Sequence, residues 1–340
     1  APIKGGTLKV AIETDTPFTG IFNSNLSDSA IDSEVSQYGN EQLFKTDKNY
    51  KIIDGGAADM KIDTDKKTVS IKINDKVKWS DGQPLVAKDI VYSYEIIGNK
   101  ATKSSRYTES LQNVVGMTEY HAGTASSISG LEMPDGENGK QVVIHFKEMK
   151  PGMEQSGNGY IIETASPYHQ LKDVAFDKLT SSDEIRVHPL FFGPYKLNKV
   201  VRGQSTEWVP NEYYYRGKPK LDKIVASVVS PNSITQAIKS KKYDVTQVIN
   251  SQWDSVKDTK GVEFVAYTPL AYSYLGFKVG KWDAAAGENV QNKNAKMGDK
   301  ALRQAIAYAM NIDQVSEKYS KNLSFRINTL IPKQFSNYYD

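Results

Sequence analysis

The four histidines of this 340-residue chain, His121, His145, His169 and His188, are the side chains best suited to hold a metal or move a proton near neutral pH. They lie far apart, and no two share the i, i+4 spacing that sets paired imidazoles on one helix face. His145 falls on the outer face of an alternating stretch and His188 precedes Pro189 in a connection, so surface or structural roles are expected for all four. The absence of cysteine excludes disulfides, Cys-ligated zinc and thiol nucleophiles. Acidic residues are abundant, but no spacing singles out a carboxylate pair for glycoside chemistry. The sequence holds no G-x-S-x-G elbow, H-E-x-x-H zinc pair or G-x-x-x-x-G-K-[ST] phosphate loop, and Gly157-Asn-Gly159 lacks the third glycine of a dinucleotide turn. No catalysis, cofactor or metal is expected.

Aromatic side chains offer a different chemistry, that of contact. Tyrosine occurs 20 times. The cluster Tyr213-Tyr214-Tyr215 has the composition of a stacking platform, although packing at a turn accounts for it as well. Tyr267, Tyr272 and Tyr274 flank Pro269, and the last two point to the side of an extended segment opposite Ser273.

The elements that must carry these residues follow from periodicity. Leu8, Val10 and Ile12 alternate as a strand, and Val35, Tyr38, Leu43 and Phe44 predict a helix packed on a sheet. Val69, Ile71 and Ile73 alternate with polar residues, as do Val142, Ile144 and Phe146. After the Asp81-Gly82 turn and Pro84, residues Ile90, Val91, Tyr94 and Ile97 form the stripe of an amphipathic helix with Asp89 in its first turn. Ile234, Ala237 and Ile238 predict a short helix, followed by a strand over Asp244-Val-Thr-Gln-Val248. Residues 283–300 are polar and are expected to be a solvated loop, after which Asp299 caps a helix with Leu302, Ala305, Ile306, Ala309 and Met310 on one face.

Length fits two or three lobes. Basic residues number 43 against 40 acidic, a formal charge of +3 with no nucleic-acid footprint, and no apolar run is long enough to cross a bilayer. A soluble globular chain is expected, and nucleic acid is not an expected partner.

Five separated motifs carry a resemblance. They are the segment Trp79-Ser-Asp-Gly-Gln-Pro-Leu-Val-Ala-Lys-Asp-Ile-Val-Tyr-Ser-Tyr94, the turn Gly193-Pro-Tyr-Lys-Leu197, the stretches Pro210-Asn-Glu-Tyr-Tyr214 and Gly217-Lys-Pro-Lys-Leu-Asp-Lys-Ile224, and the run from Leu302 to Asp313. In this order they resemble the extracellular solute-binding proteins of family 5, the oligopeptide/dipeptide class of ABC transporters. Two departures stand out: Asn74-Asp-Lys-Val-Lys78 replaces the usual basic turn, and the chain stops at Asp340 where the family continues, so a fragment is expected.

The resemblance implies an α/β fold of the class II periplasmic-binding-protein type, with two hinged lobes and an inserted subdomain. Residues 1–46 and 185–268 would form the first lobe, 47–184 the insertion, and 269–340 the start of the other ligand-binding lobe. Crossover strands are expected near Asp183 to Pro194 and Val265 to Tyr272. The implied ligand is an oligopeptide held between the lobes as an added strand and delivered to membrane permease subunits. The residues implied to bind it are Ser27, Asp28, Ser29 and Ala30 as the pairing strand, Arg106 and Tyr107 from the insertion, Asn250, and Tyr267, Tyr272, Ser273 and Tyr274. An acid that pairs with the peptide amino group in several members would lie beyond Asp340. The implied protein is a monomer, extracellular or periplasmic. The start at Ala1-Pro2-Ile3-Lys4-Gly5-Gly6 looks like a mature or trimmed N-terminus, with any lipid anchor outside the given sequence. Other cargo (a signalling peptide, a metal chelate, an oligosaccharide) and a role as surface adhesin or sensor are the alternatives.

Overall fold

In the computed structural model, which describes residues 5–283, 288–327, 329–332 and 334–335, the chain divides into two compact units, Ala1–Gln247 and Val248–Asp340. Residues 1–4 of the expected N-terminus and the terminus at residue 340 lie outside the described residues.

The alternation that begins at Leu8 becomes strand β1 (Thr7–Glu13), parallel to β10 (Lys223–Val229) on one side and to β11 (Val245–Thr246) on the other. Strand β9 (Ser205–Pro210) continues from β10 in antiparallel sense and β8 (Tyr195–Val201) closes the order β11-β1-β10-β9-β8. Val10, Ala11 and Ile12 are all buried, as a central strand with parallel neighbours on both sides requires. Against this sheet pack α1 (Ala30–Ser36) and α6 (Pro231–Lys239), the latter burying the expected Ile234, Ala237 and Ile238. Strand β11 is shorter than expected; just ahead of it the Asp244 amide donates to the Lys9 carbonyl and the Asp244 carboxylate accepts from the Lys9 amide, both at 2.8 Å.

A second, antiparallel sheet of order β4-β5-β7-β6 is built from β4 (Ala58–Asp63), β5 (Thr68–Ile73), β6 (Leu131–Glu132) and β7 (Gln141–His145). Val69, Ile71, Ile73, Val142 and Ile144 all face one buried core, which confirms the period-two reading. Two short strands, β2 (Lys45–Thr46) and β3 (Ile52–Ile53), pair beside it. Helix α2 (Ala87–Gly98) packs on this core, and its entry is the motif turn. Gly82 adopts φ +91°, and a Cβ there would sit 2.9 Å from the ring of Tyr213, so glycine is needed for both conformation and space. Trp79, 1% exposed, donates from Nε1 to Asp89 Oδ2 at 2.9 Å, and the Val86 and Tyr168 amides donate to the same carboxylate. Short helices α3 (Met117–Ala122), α4 (Tyr168–Leu171) and α5 (Asp183–Arg186) complete this unit.

The second unit contains α7 (Trp253–Val256), the hairpin of β12 (Gly280–Asp283) and β13 (Glu288–Gln291), α8 (Lys300–Ala309) and α9 (Ile312–Ser320). Asp299 caps α8 as expected, accepting from Ala301 and Leu302 amides.

Four local expectations are corrected. The first helix ends at Ser36, so Leu43 and Phe44 lie beyond it and join the core of the second sheet. Just beyond the helix, the backbone at Gly39 runs so close to Trp208 and Phe191 that a Cβ would fall 2.6 Å from the indole. The first expected crossover strand begins instead as helix α5, capped by Ser182, whose side chain accepts from the Ile185 amide. Residues 265–272 have no strand pairing among the described residues. The polar stretch from Asp283 is not all loop, since Asn289 and Val290 pair across with Trp282 and Lys281 in a hairpin.

Candidate functional site

Residues 27–30 are where the sequence places a pairing strand, and the chain there forms a loop that enters α1. Ser29 is the N-cap, its side chain accepting from the Asp32 amide at 3.3 Å, and this capping geometry takes over from strand geometry. Ser27 is buried and fully committed. Its amide donates to the Asn23 carbonyl, its hydroxyl donates to Asp32 Oδ2 at 3.0 Å, and its carbonyl accepts from Arg106 Nη2 at 3.2 Å. Asp28 and Ala30, in contrast, are exposed.

Asp32 was not among the expected site residues. Its carboxylate, 1% exposed, accepts from the amides of Thr19, Gly20 and Ile21 and from the hydroxyls of Thr19 and Ser27. The pattern Ser29-Ala-Ile-Asp32, a cap residue followed three positions later by an acid, is the signal that identifies it in the sequence.

The segment bearing Arg106 and Tyr107 meets this loop. Besides the Arg106 bond, the Ser104 hydroxyl donates to the Asn25 carbonyl at 2.7 Å. Tyr107 stacks on His121 with ring centroids 3.7 Å apart and planes within 10°. His121 Nδ1 lies 2.8 Å from the Gly98 carbonyl, a pairing that requires the proton on Nδ1 and fixes the imidazole. Burial, and secondarily the charge of Glu119, pushes the Tyr107 hydroxyl above its usual pKa. Behind the loop, Ser166 is fully buried and accepts from Asn23 Nδ2 and Asn25 Nδ2, with Ser93 Oγ of α2 at 3.2 Å. The α2 brace is therefore linked by hydrogen bonds to the loop that carries the candidate residues.

The remaining candidates belong to the second unit. Asn250 opens a single 3-10 turn, Asn250–Gln252. Tyr267, Tyr272 and Tyr274 are 68%, 40% and 78% exposed, and the rings of Tyr272 and Tyr274 lie 6.1 Å apart. Their common side relative to Ser273 is that of an extended chain. The structure thus joins residues 27–30 to Arg106 and Tyr107 in one unit and Tyr272 to Tyr274 in the other.

Within the triple tyrosine, Tyr214 and Tyr215 are half-buried and bonded, while Tyr213 is exposed. Tyr214 and Tyr215 hydroxyls donate to Glu41 at 3.2 and 3.0 Å, Arg216 Nε donates to the Tyr215 oxygen, and Tyr213 packs on Gly82. Burial first, then the Glu41 charge, raises the Tyr214 pKa to about 12. Two of the other histidines lie beside a carboxylate: His145 Nε2 is 3.1 Å from Glu132 and His169 Nε2 is 2.7 Å from Asp81. Among the described residues no three His, Asp or Glu side chains are arranged to hold a metal ion.

Two cavities lie in the first unit. One of about 30 Å³, lined by Asn23, Asn40, Glu41 and Thr164 among others, has room for water alone. The other, about 120 Å³ beside Lys88, Tyr168 and His169, is well short of the ~300 Å³ at which small-molecule pockets begin.

Comparison with known proteins places this geometry. The oligopeptide-binding protein OppA of Lactococcus lactis subsp. cremoris (strain SK11) is 45% identical over 328 residues, which are 96% of this chain and 55% of that protein. The chain therefore spans about half the length of this curated relative. A solved structure of lactococcal OppA, complexed with an endogenous peptide in the closed conformation, superposes with TM-score 0.94 at 43% identity, covering 99% of this chain and 63% of that one. NikZ from Campylobacter jejuni, solved in complex with Ni(L-His), has TM-score 0.71 at 20% identity over 95% of this chain and 57% of its own, and shows the fold alone. The fold is the mixed α/β, class II periplasmic-binding-protein type expected from the resemblance. The sequence profile described as bacterial extracellular solute-binding proteins, family 5 Middle, matches residues 51–340. This chain belongs to the bacterial extracellular solute-binding proteins of family 5.

Proposed function

We propose that the protein is the substrate-binding component of an ABC importer, which captures extracellular oligopeptides and delivers them to membrane permease subunits without performing chemistry on them. The observation that carries this reading is the 0.94 TM-score superposition, at 43% identity, on a lactococcal protein solved with a bound peptide. Within the chain it is supported by the joining of the 27–30 loop to Arg106 through the Ser27 carbonyl. Asp28, Ala30, Arg106 and Tyr107 of the first unit, and Asn250, Tyr267, Tyr272, Ser273 and Tyr274 of the second, are the residues proposed to bind the peptide. Backbone pairing serves peptides of any sequence, because all share the same N–H and C=O groups.

The proposed layout keeps residues 1–46 and 185–268 as the first lobe, 47–184 as the insertion and 269–340 as the start of the other lobe. Its support is the sheet topology. The five-stranded sheet draws its strands from segments before residue 46 and after residue 185, while the four-stranded one lies wholly within 47–184. Residues 248–268 cluster with the second unit. Closure of hinged lobes, with the closed state binding more tightly, would provide retention. Extracellular or periplasmic residence, as a monomer, completes the proposal.

Calorimetric titration of the full-length protein with a mixed peptide library and with free sugars tests it. Peptide binding is expected, and binding of sugars without peptides would overturn the reading. Uptake of labelled peptide in cells lacking the gene is expected to fall; unchanged uptake would favour adhesion or sensing.

A further inference from the structure

We propose that Asp32 is a positioning residue for peptide capture: its buried carboxylate closes the loop between β1 and α1 and so fixes the exposed backbone at Asp28 and Ala30. The inference deepens the oligopeptide reading and rests on residues 28 and 30 contributing to that site. Residues 14–29 contain no helix or strand, and an irregular stretch of that length needs internal anchors to keep one conformation. Asp32 supplies them from both ends. Thr19, Gly20 and Ile21 donate their amides at 2.7, 3.0 and 3.1 Å, the Thr19 hydroxyl donates at 2.5 Å, and Ser27 reaches back from the far end at 3.0 Å.

All five donors converge on one carboxylate that is 1% exposed. Bonds to an ionised acceptor are about twice as strong as neutral ones, and a buried carboxylate short of donors is costly. The loop and the helix start therefore order together. Arg186 Nη1 holds the Thr19 carbonyl at 2.8 Å, and Ser166 holds Asn23 and Asn25, so the middle of the loop is pinned as well. With every polar group of Ser27 used, residues 28 and 30 are what the loop presents. A ligand that pairs with a fixed edge avoids the entropy of ordering it.

The test uses the full-length protein and hexa-alanine as probe. In Asp32→Asn, an NH2 group replaces one acceptor and faces donors, so amide exchange at Gly20, Ile21 and Ser29 is expected to accelerate at least tenfold and affinity to fall at least tenfold. Ile234→Ala, which destabilises α6 without touching the loop, is expected to bind as wild type; an equal loss of affinity in both variants would reduce Asp32 to general stability and overturn the proposal. So would a folded Asp32→Asn protein with affinity within twofold of wild type. Should Asp32→Asn fail to fold, Thr19→Val against Thr19→Ser decides. The valine removes one donor and is expected to weaken binding about threefold, the serine keeps it and is expected to restore binding, and equal affinities refute the role. Failure of the wild-type protein to bind hexa-alanine would strike the peptide reading instead. Exchange at Gly20 and Ile21 then still separates a cage that orders the loop from one that does not.

Discussion

Helices α2 and α8 begin alike and end in different environments. Each is preceded by a turn, carries an aspartate at its N-terminal cap or first turn, and has an apolar stripe at helical spacing. Yet α2 buries ten of its twelve residues, while α8 buries none. Caps and stripes are properties of a few neighbouring residues, whereas burial depends on what the rest of the fold sets opposite. For α2 that partner is the β4-β5-β7-β6 sheet with Trp79 and Tyr94 in one core.

The sharpest way to break the comparison is to truncate matching stripe residues. Ile90→Ala in α2 removes a fully buried side chain and is expected to cost about 2–5 kcal/mol, from lost transfer energy plus the cavity left behind. Ile306→Ala in α8 is expected to cost under about 0.5 kcal/mol, since little contact is lost and alanine is the better helix former. Urea unfolding of the 340-residue chain followed by circular dichroism measures both. Equal losses would show that the stripe alone, not its partner, sets helix stability.

The caps are expected to differ less. Asp299→Ala removes bonds to two exposed amides and should cost about 1 kcal/mol. Asp89→Ala strands the Trp79 indole N–H and the Val86 and Tyr168 amides in a buried site, for a loss of about 3 kcal/mol. If Trp79→Phe, which removes the indole donor, brings the Asp89→Ala loss down toward 1 kcal/mol, as roughly expected of a simple cap, the excess belongs to that donor.

This contrast also marks what the sequence discloses. Strand β5 and helices α2, α6 and α8 could be read directly, because alternation, a cap and an i, i+4 stripe are complete within a dozen residues. The cage around Asp32 was half legible, through Ser29 and the acid three positions on, but its Thr19 and Ile21 donors carry no pattern. Contacts between distant segments left no trace: Glu41 beneath Tyr214 and Tyr215, Ser166 beneath Asn25, and Arg106 on the Ser27 carbonyl are each set by tertiary approach. The strand that the resemblance implies at 27–30 is a loop, because the capping bond to Ser29 and the Asp32 carboxylate, which accepts from Ser27, take over from strand geometry.

The smallest expected effect is a pH dependence that separates a buried cap from an exposed one. Burial raises the Asp89 carboxyl above its ordinary value of 3.8, and the Trp79, Val86 and Tyr168 donors, with the nearby His169 charge, offset this only in part. A raised value in the folded state means that the fold holds the proton more tightly than the unfolded chain does. Its contribution to stability is therefore complete below the ordinary carboxylate pKa and is lost as pH rises through the raised one. Asparagine has no proton to lose. The stability advantage of wild type over Asp89→Asn should thus be greatest at the acid end and narrow as pH rises, a change smaller than the cap loss itself. Urea midpoints for the two proteins from roughly pH 3 to pH 7 measure it. An advantage that widened with pH would mean that the three donors outweigh burial and hold Asp89 ionised.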